Sequence, residues 1–244
     1  MNALQGKVAL VTGSSRGIGR AIAEQLAAEG ATTVVTFHQK AEVGEQVVRG
    51  ILQAGGRASA AHLDVRDLAS IRELFKSIQS EHGGIDILVN NAAGTNVFAP
   101  TSAMTEKDYD AMFSATRGVY FALQQAAIHL RDGGRIISIS TGGTAMSMAG
   151  AGAYAGSKAA IEQFSMALAK ELGVRQITVN TVLPGVTATD GLVLGPEQLG
   201  YLTAQTPLGR LGRPADIARV VAWLASPDAG WITGQNIRAT GGIV

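Results

Sequence analysis

The first apolar run is short and rich in β-branched residues, and Lys7–Val11 reads as a buried strand. A polar, glycine-rich stretch follows. Ile18, Ile22 and Leu26 then recur at helical spacing until Gly30 stops the helix. Thr32–Phe37 predicts a second strand, and Ala41–Ala54 a helix ending at Gly55-Gly56. Ala58–Leu63 predicts a third strand, with Asp67 as the N-cap of a helix to about Glu81. Ile85–Val89 is the fourth strand. A helical stretch from Thr105 leads into a longer helix over Val119–Leu130, and Arg135–Ser140 is the fifth strand. Ala153–Leu172 carries Ile161, Phe164, Leu168 and Leu172 on one helical stripe. Ile177–Val182, a helix over Pro214–Ala225 with proline at its start, and a short strand over Asn236–Ala239 complete the pattern. Pro184–Pro207 is the least regular segment and reads as a mobile loop with room for a short helix, the kind of long loop that often covers a site. Strands alternating with helices predict α/β architecture, and right-handed crossovers make it a single doubly wound parallel sheet with helices on both faces.

Composition narrows what such a chain can do. No linker-like break and no fixed-period repeat appears, so residues 1–244 read as one domain. Aromatic residues are only 5%, so small aliphatic side chains must fill the core. The 31 glycines, with only 6 prolines, point to tight turns and close backbone approaches rather than disorder. A net charge of +1 gives no electrostatic case for nucleic acid or an anionic membrane. The chain has no cysteine, which removes disulfides, thiolate catalysis and thiolate metal sites. Met1 to Lys7 has no apolar signal core, and no apolar run approaches the ~20 residues that span a bilayer. A cytoplasmic protein without a metal is the expectation.

Thr12-Gly13-Ser14-Ser15-Arg16-Gly17-Ile18-Gly19 lies between the first strand and the first helix. Glycines there let the backbone approach a pyrophosphate, and the helix N-terminus supplies N–H donors and a favourable dipole. The spacing is G-x-x-x-G-x-G rather than G-x-G-x-x-G, but its place after the first strand is the one a dinucleotide requires. An acid at the end of the second strand would bind the ribose hydroxyls of NAD and repel a 2′-phosphate. This chain has Thr36-Phe37-His38-Gln39-Lys40 instead. Arg16 and Lys40 can both face a 2′-phosphate, although Lys40 reads equally as a solvated helix-start residue. NADP(H) is therefore preferred over NAD(H).

Tyr154 and Lys158 stand four apart at the start of a helix and share a face. A phenol with a pKa of about 10 is a poor proton donor or acceptor at neutral pH. A nearby ammonium, or a positively charged oxidised nicotinamide, would lower it and make Tyr154 a general acid for a carbonyl oxygen. Together these motifs resemble the short-chain dehydrogenase/reductase family, with its Rossmann-type fold. The resemblance runs from the glycine turn through Asp64-Val65, Asn90-Asn91-Ala92-Ala93-Gly94, Tyr154-Ala155-Gly156-Ser157-Lys158 and Pro184-Gly185 to Gly241-Gly242. Within the family the chain looks most like the 3-oxoacyl-[acyl-carrier-protein] reductase type. The resemblance implies that Gly13, Ser15, Arg16, Gly17, Ile18, Gly19, His38 and Lys40 surround the cofactor. It implies that Asp64 and Val65 contact adenine, and that Asn91, with Ala92, steadies the central strand beside it. It further implies that Lys158 binds the nicotinamide ribose, that Pro184, Gly185 and Thr187 flank the nicotinamide, and that Thr189 lies near the phosphates.

The chain departs from the family twice. The substrate-orienting serine, thirteen residues before the tyrosine, is here Thr141, with Ser140 beside it as the alternative. Threonine keeps the donor and acceptor but stiffens the side chain. The family's Asn, three residues before a Gly, is missing from Phe113-Ser114-Ala115-Thr116-Arg117-Gly118 in every register. In the family that Asn holds a water that relays protons to the Lys. Ser114 or Thr116 is left to hold it, and activity is expected to be reduced.

The expected pocket lining is Thr95–Phe98, Ala145–Ala151 and Gly191–Tyr201, small and apolar with adaptable Met146 and Met148, which favours a hydrophobic ketone or an acyl chain. Arg131 and Arg175 are the basic residues available for docking an acyl carrier protein. The resemblance implies a homotetramer, with the two long helices at one interface and Trp231–Val244 at another. The expected function is NADPH-dependent reduction of a small-molecule carbonyl. The alternatives are an impaired NADP(H)-binding sensor and an alcohol-oxidising dehydrogenase.

Overall fold

A computed structural model describes residues 2–146, 148–192 and 194–244. Seven strands, β1 (Val8–Val11), β2 (Thr32–Phe37), β3 (Arg57–His62), β4 (Ile85–Asn90), β5 (Leu130–Ile139), β6 (Thr178–Pro184) and β7 (Asn236–Ala239), form one sheet. Their order is β3-β2-β1-β4-β5-β6-β7, and every pair is parallel. Chain order reverses between β1 and β4, and a doubly wound sheet opens its ligand crevice at that point.

The helices are α1 (Gly17–Ala28), α2 (Ala41–Gln53), α3 (Leu68–His82), α4 (Glu106–His129), α5 (Gly152–Leu172), α6 (Pro196–Gln205) and α7 (Pro214–Ala225). One face of the sheet buries Ile22 and Leu26 of α1, Val47 of α2, and Ile217 and Val221 of α7. The other buries Phe75 of α3, Val119 of α4, and Ile161 and Leu168 of α5. Central β4 is buried along its whole length, its polar Asp86 and Asn90 included, whereas edge strands β3 and β7 are partly open.

Local chemistry sets the boundaries. The Asp67 carboxylate accepts from the Ala69 N–H at 2.9 Å and caps α3, as expected. Gly83 closes that helix in the left-handed region at φ 68°. Two expectations are corrected, and the short helix allowed for within Pro184–Pro207 is found. α4 is continuous from Glu106, where two helical pieces were expected, because Thr105 caps it and no proline interrupts it. Its internal Gly118 has a packing cause, since a Cβ there would collide with the Val65 carbonyl oxygen. β5 begins at Leu130 rather than Arg135, with a register shift against β4 between Ile85 and Ile87. Within Pro184–Pro207, α6 is a ten-residue helix opened by Pro196, with the Gly195 N–H donating to the Gln198 side chain at 3.2 Å. No helix of the described residues is long and apolar enough to cross a membrane.

Candidate active site

The glycine turn sits where β1 gives way to α1 at the reversal of strand order. Thr12 and Ser14 are buried beneath it and tie it to three strands. The Thr12 hydroxyl oxygen accepts from the N–H groups of Asn91 at 2.9 Å and Ala92 at 3.0 Å. The Asn91 amide donates to the carbonyls of Thr12 and Gly13, both at 3.0 Å. The Ser14 hydroxyl donates to the Val11 carbonyl at 2.7 Å and accepts from the Thr36 N–H at 2.8 Å. Gly13 and Gly17 adopt φ 63° and 57°, which L side chains rarely tolerate. A Cβ on Gly19 would strike the Asn91 amide and the Gly13 carbonyl. Among the described residues, the N–H groups of Ser15, Arg16, Gly17 and Ile18 have no acceptor. Free donors, a helix start and a turn stripped of side chains fit a pyrophosphate. Thr189 lies against this cradle, 3.6 Å from where a Cβ of Gly17 would stand.

The adenosine end of the crevice lies beyond β2 and β3. His38, Lys40 and Arg16 are exposed there, and no carboxylate pairs with Arg16 or Lys40 among the described residues. Asp64 is present as expected, but both its oxygens are taken. Arg66 donates to Oδ1 from Nε and to Oδ2 from Nη2, each at 2.9 Å. The guanidinium holds the Asp64 carboxyl down at about 2. Sequence reasoning passed over Arg66, which directly follows Asp64-Val65.

Tyr154 and Lys158 lie on the first turns of α5, facing the carboxyl ends of β4 and β5. The Tyr154 hydroxyl faces the side chain of Thr141, just beyond β5, whose hydroxyl oxygen accepts from the Gly143 N–H at 3.1 Å. Ser140 cannot take that part. Its hydroxyl is committed further along the same helix, donating to the buried Glu162 carboxylate at 2.5 Å, and Glu162 also accepts from Asn236 at 3.1 Å. Burial pushes the Tyr154 phenol up, and the Thr141 hydroxyl offsets only part of that. In the chain alone, loss of hydration is thus the larger effect on this phenol. Burial brings Lys158 down to about 8.

A cavity of about 10 Å³ beside Lys158 is lined by Gly94, Asn96, Ala115, Thr116, Ser157 and neighbouring residues. That is close to the least volume that holds one water, roughly 10–15 Å³. Ala115, three residues before Gly118, and Thr116 are the two candidates for the family's Asn position that line this cavity. The Thr116 hydroxyl also lines the cavity and donates to the Ser157 carbonyl at 3.2 Å. Ser114 is turned away, donating to the Ala111 carbonyl at 3.0 Å.

Pro184 ends β6, and Gly185 packs so closely on Thr240 that a Cβ would come within 2.8 Å of its Cα. Thr187 is buried, donates to the Gly185 carbonyl at 2.9 Å and pairs with Gly212. The substrate side is apolar. The Phe98 ring lies 5.0 Å from the Tyr154 ring, and Met146, Met148 and Tyr201 are exposed. Two residues of the expected lining, Ser147 and Val193, lie outside the described residues. Arg131 and Arg175 sit at the other, amino-terminal edge of the sheet. Arg131 is paired with buried Asp86 at 2.7 Å, and Arg175 with Asp132 at 2.7 Å. Arg131 also donates to the His82 carbonyl at the end of α3 at 2.9 Å, and Arg175 donates to the carbonyls of Ala127 in α4 and Leu130.

The family model described as enoyl-(acyl carrier protein) reductase matches residues 13–244. The chain belongs to the short-chain dehydrogenase/reductase family. It is 44% identical to an uncharacterized oxidoreductase of Methylorubrum extorquens, over the whole of both chains. It is 43% identical to a hydroxynaphthalene reductase-like protein of Metarhizium brunneum, covering 99% of this chain and 96% of that one. Among solved structures, a Serratia marcescens short-chain dehydrogenase/reductase matches with TM-score 0.94 at 40% identity, covering 99% of each chain. An angucycline C-6 ketoreductase with bound NADP matches with TM-score 0.93 at 39% identity, covering 99% of this chain and 96% of that one. The oxidoreductase family and the Rossmann-type fold expected from the motifs are thereby established for this short-chain dehydrogenase/reductase.

Proposed function

We propose that the protein reduces a hydrophobic ketone to an alcohol with NADPH, using Tyr154 as the general acid. The observation that carries this reading is the placement of the Tyr154 phenol beside Thr141 and buried Lys158, with the Phe98 ring at its side. NADPH bound along the glycine turn would supply a hydride to the carbonyl carbon. Thr141 and Tyr154 would hold the carbonyl oxygen, and the Tyr154 hydroxyl would give it a proton as negative charge develops. Lys158 would orient the ribose and restore the proton through water in the adjoining cavity.

The exposed Phe98, Tyr201, Met146 and Met148 favour a flat apolar substrate, and an aromatic ketone fits them better than a sugar. The hydroxynaphthalene reductase-like relatives and the angucycline ketoreductase point the same way. A 3-oxoacyl thioester remains a candidate for the same pocket, whether free or on an acyl carrier protein. NADPH is preferred because His38 and Lys40, not an acid, follow β2. With Ala115 or Thr116 in place of the family's Asn, the rate is reduced. Apolar Tyr120, Ile128 and Met166 on α4 and α5, and Trp231 before β7, are exposed in the isolated chain and suit a homotetramer.

NADPH oxidation followed at the nicotinamide absorbance, with a panel of bicyclic aromatic ketones and 3-oxoacyl thioesters, tests the reading. Turnover is expected on the aromatic ketones, faster with NADPH than with NADH. Tight NADPH binding without turnover on any of them would favour a cofactor-binding sensor instead.

A further inference from the structure

The end of β2 carries no acid of its own, yet an acid stands beside it. The Asp64 carboxylate reaches across from the end of β3, and its Oδ2 lies 3.2 Å from His38 Nε2. Left alone, that carboxylate would stand as an uncompensated negative charge beside the end of β2, where an acid repels a 2′-phosphate. It is not left alone. Arg66 closes a two-bond fork on it, adds its own backbone N–H to Oδ1 at 3.0 Å, and places Nη2 3.4 Å from His38 Nε2.

His38 Nε2 can serve only one of these neighbours at a time. As a lone pair it accepts from Arg66, and as an N–H it donates to Asp64. Either way the guanidinium cancels the carboxylate. Around it stand Arg16 and Lys40, which no carboxylate pairs among the described residues. With Arg66 in place the charges of Arg16 and Lys40 stand unopposed at this edge; without it the Asp64 carboxylate would offset one of them. Half of the Arg66 side chain remains exposed, at 52%, so the unused face of the guanidinium is open to an incoming anion.

We propose that Arg66 is a specificity-determining residue for the cofactor: it masks Asp64 and presents a cation, with His38, to the adenosine 2′-phosphate. The inference rests on the NADPH reading and assigns its selectivity to a residue outside the glycine turn and outside the β2 end. The consequence is asymmetric. Removing Arg66 takes away one attraction for the 2′-phosphate and also uncovers an acid that repels it. Removing both Arg66 and Asp64 takes away the attraction without uncovering anything.

Calorimetric titration with 2′,5′-ADP and with 5′-AMP isolates the contribution of the 2′-phosphate and needs no ketone. The wild type is expected to prefer 2′,5′-ADP. Charge-assisted contacts are worth enough that Arg66→Gln should cut this preference by about tenfold or more. The double variant Asp64→Asn, Arg66→Gln should recover part of the loss. Both positions are at the surface, and unchanged circular dichroism and melting confirm the fold of each variant. A wild-type preference that survives Arg66→Gln, or a double variant no better than the single one, overturns the masking role and leaves the NADPH reading standing. A wild type with no preference for 2′,5′-ADP overturns the NADPH reading itself, and the proposal with it.

Discussion

Lys158 shows what the site costs the fold. Its amine is buried and its pKa falls from 10.5 to about 8. Between those two values the unfolded chain binds more protons than the folded one, so stability rises with pH across that window. Below pH 8 the full cost of burying the ammonium is present. Lys158→Met should therefore stabilise the protein at pH 7, by up to about 3 kcal/mol at the tenfold-per-unit conversion, and abolish turnover. The gain should shrink as pH rises from 8 towards 10.5. Denaturant titrations of both proteins across that range check it, and equal stability at pH 7 would contradict the account. At this scale the sequence was only partly legible. The Tyr154/Lys158 pair and the glycine turn announce themselves by spacing. The choice between Thr141 and Ser140 does not, because both are hydroxyls and the partner that decides it, Glu162, is on another element. Arg66 was missed for the same reason: an arginine two residues after an acid has no signature until its fork is seen to close beside His38.

At the scale of elements, α4 decides how protons reach Lys158. The longer helix was expected to begin at Val119, just past Gly118, whereas that glycine lies inside one continuous helix at the point where it presses on Val65. Ala115 and Thr116 face the cavity beside Lys158. Ala115→Asn would place an amide there, at a propensity cost of about 0.5–0.7 kcal/mol in helix stability. Its kcat should rise by about tenfold, a fraction of the 10²–10⁴ that general acid–base terms carry, with the KM for NADPH unchanged. Steady-state kinetics with a substrate from the ketone panel measures both. An unchanged kcat would mean that Thr116 and the cavity water already complete the relay. The other element boundaries were read to within a few residues because caps and glycines mark them, Asp67 and Gly83 being the clearest. The early start of β5 was hidden by Asp132-Gly133-Gly134, a turn-like sequence that the strand pairing absorbs as an irregularity.

At the scale of the whole molecule, the sheet brings four separate sequence motifs to one crevice. The turn after β1, the Asn91 segment after β4, Thr141 after β5 and Pro184–Gly185 at the end of β6 meet because parallel strands deliver all their carboxyl ends to the same side. This convergence is why fold and cofactor crevice were readable from alternation and motif order, while the substrate was not. The pocket is built from loop side chains such as Phe98 and Tyr201, whose positions no periodicity dictates. The most direct test of the whole arrangement is to compare the wild type with Tyr154→Phe, which keeps the ring and deletes the hydroxyl that faces Thr141. With NADPH and an aromatic ketone, kcat should fall by about 10²-fold or more, with NADPH affinity measured by fluorescence unchanged. A Tyr154→Phe protein that still reduces the ketone at the wild-type rate would contradict the assignment of this site as the catalytic one.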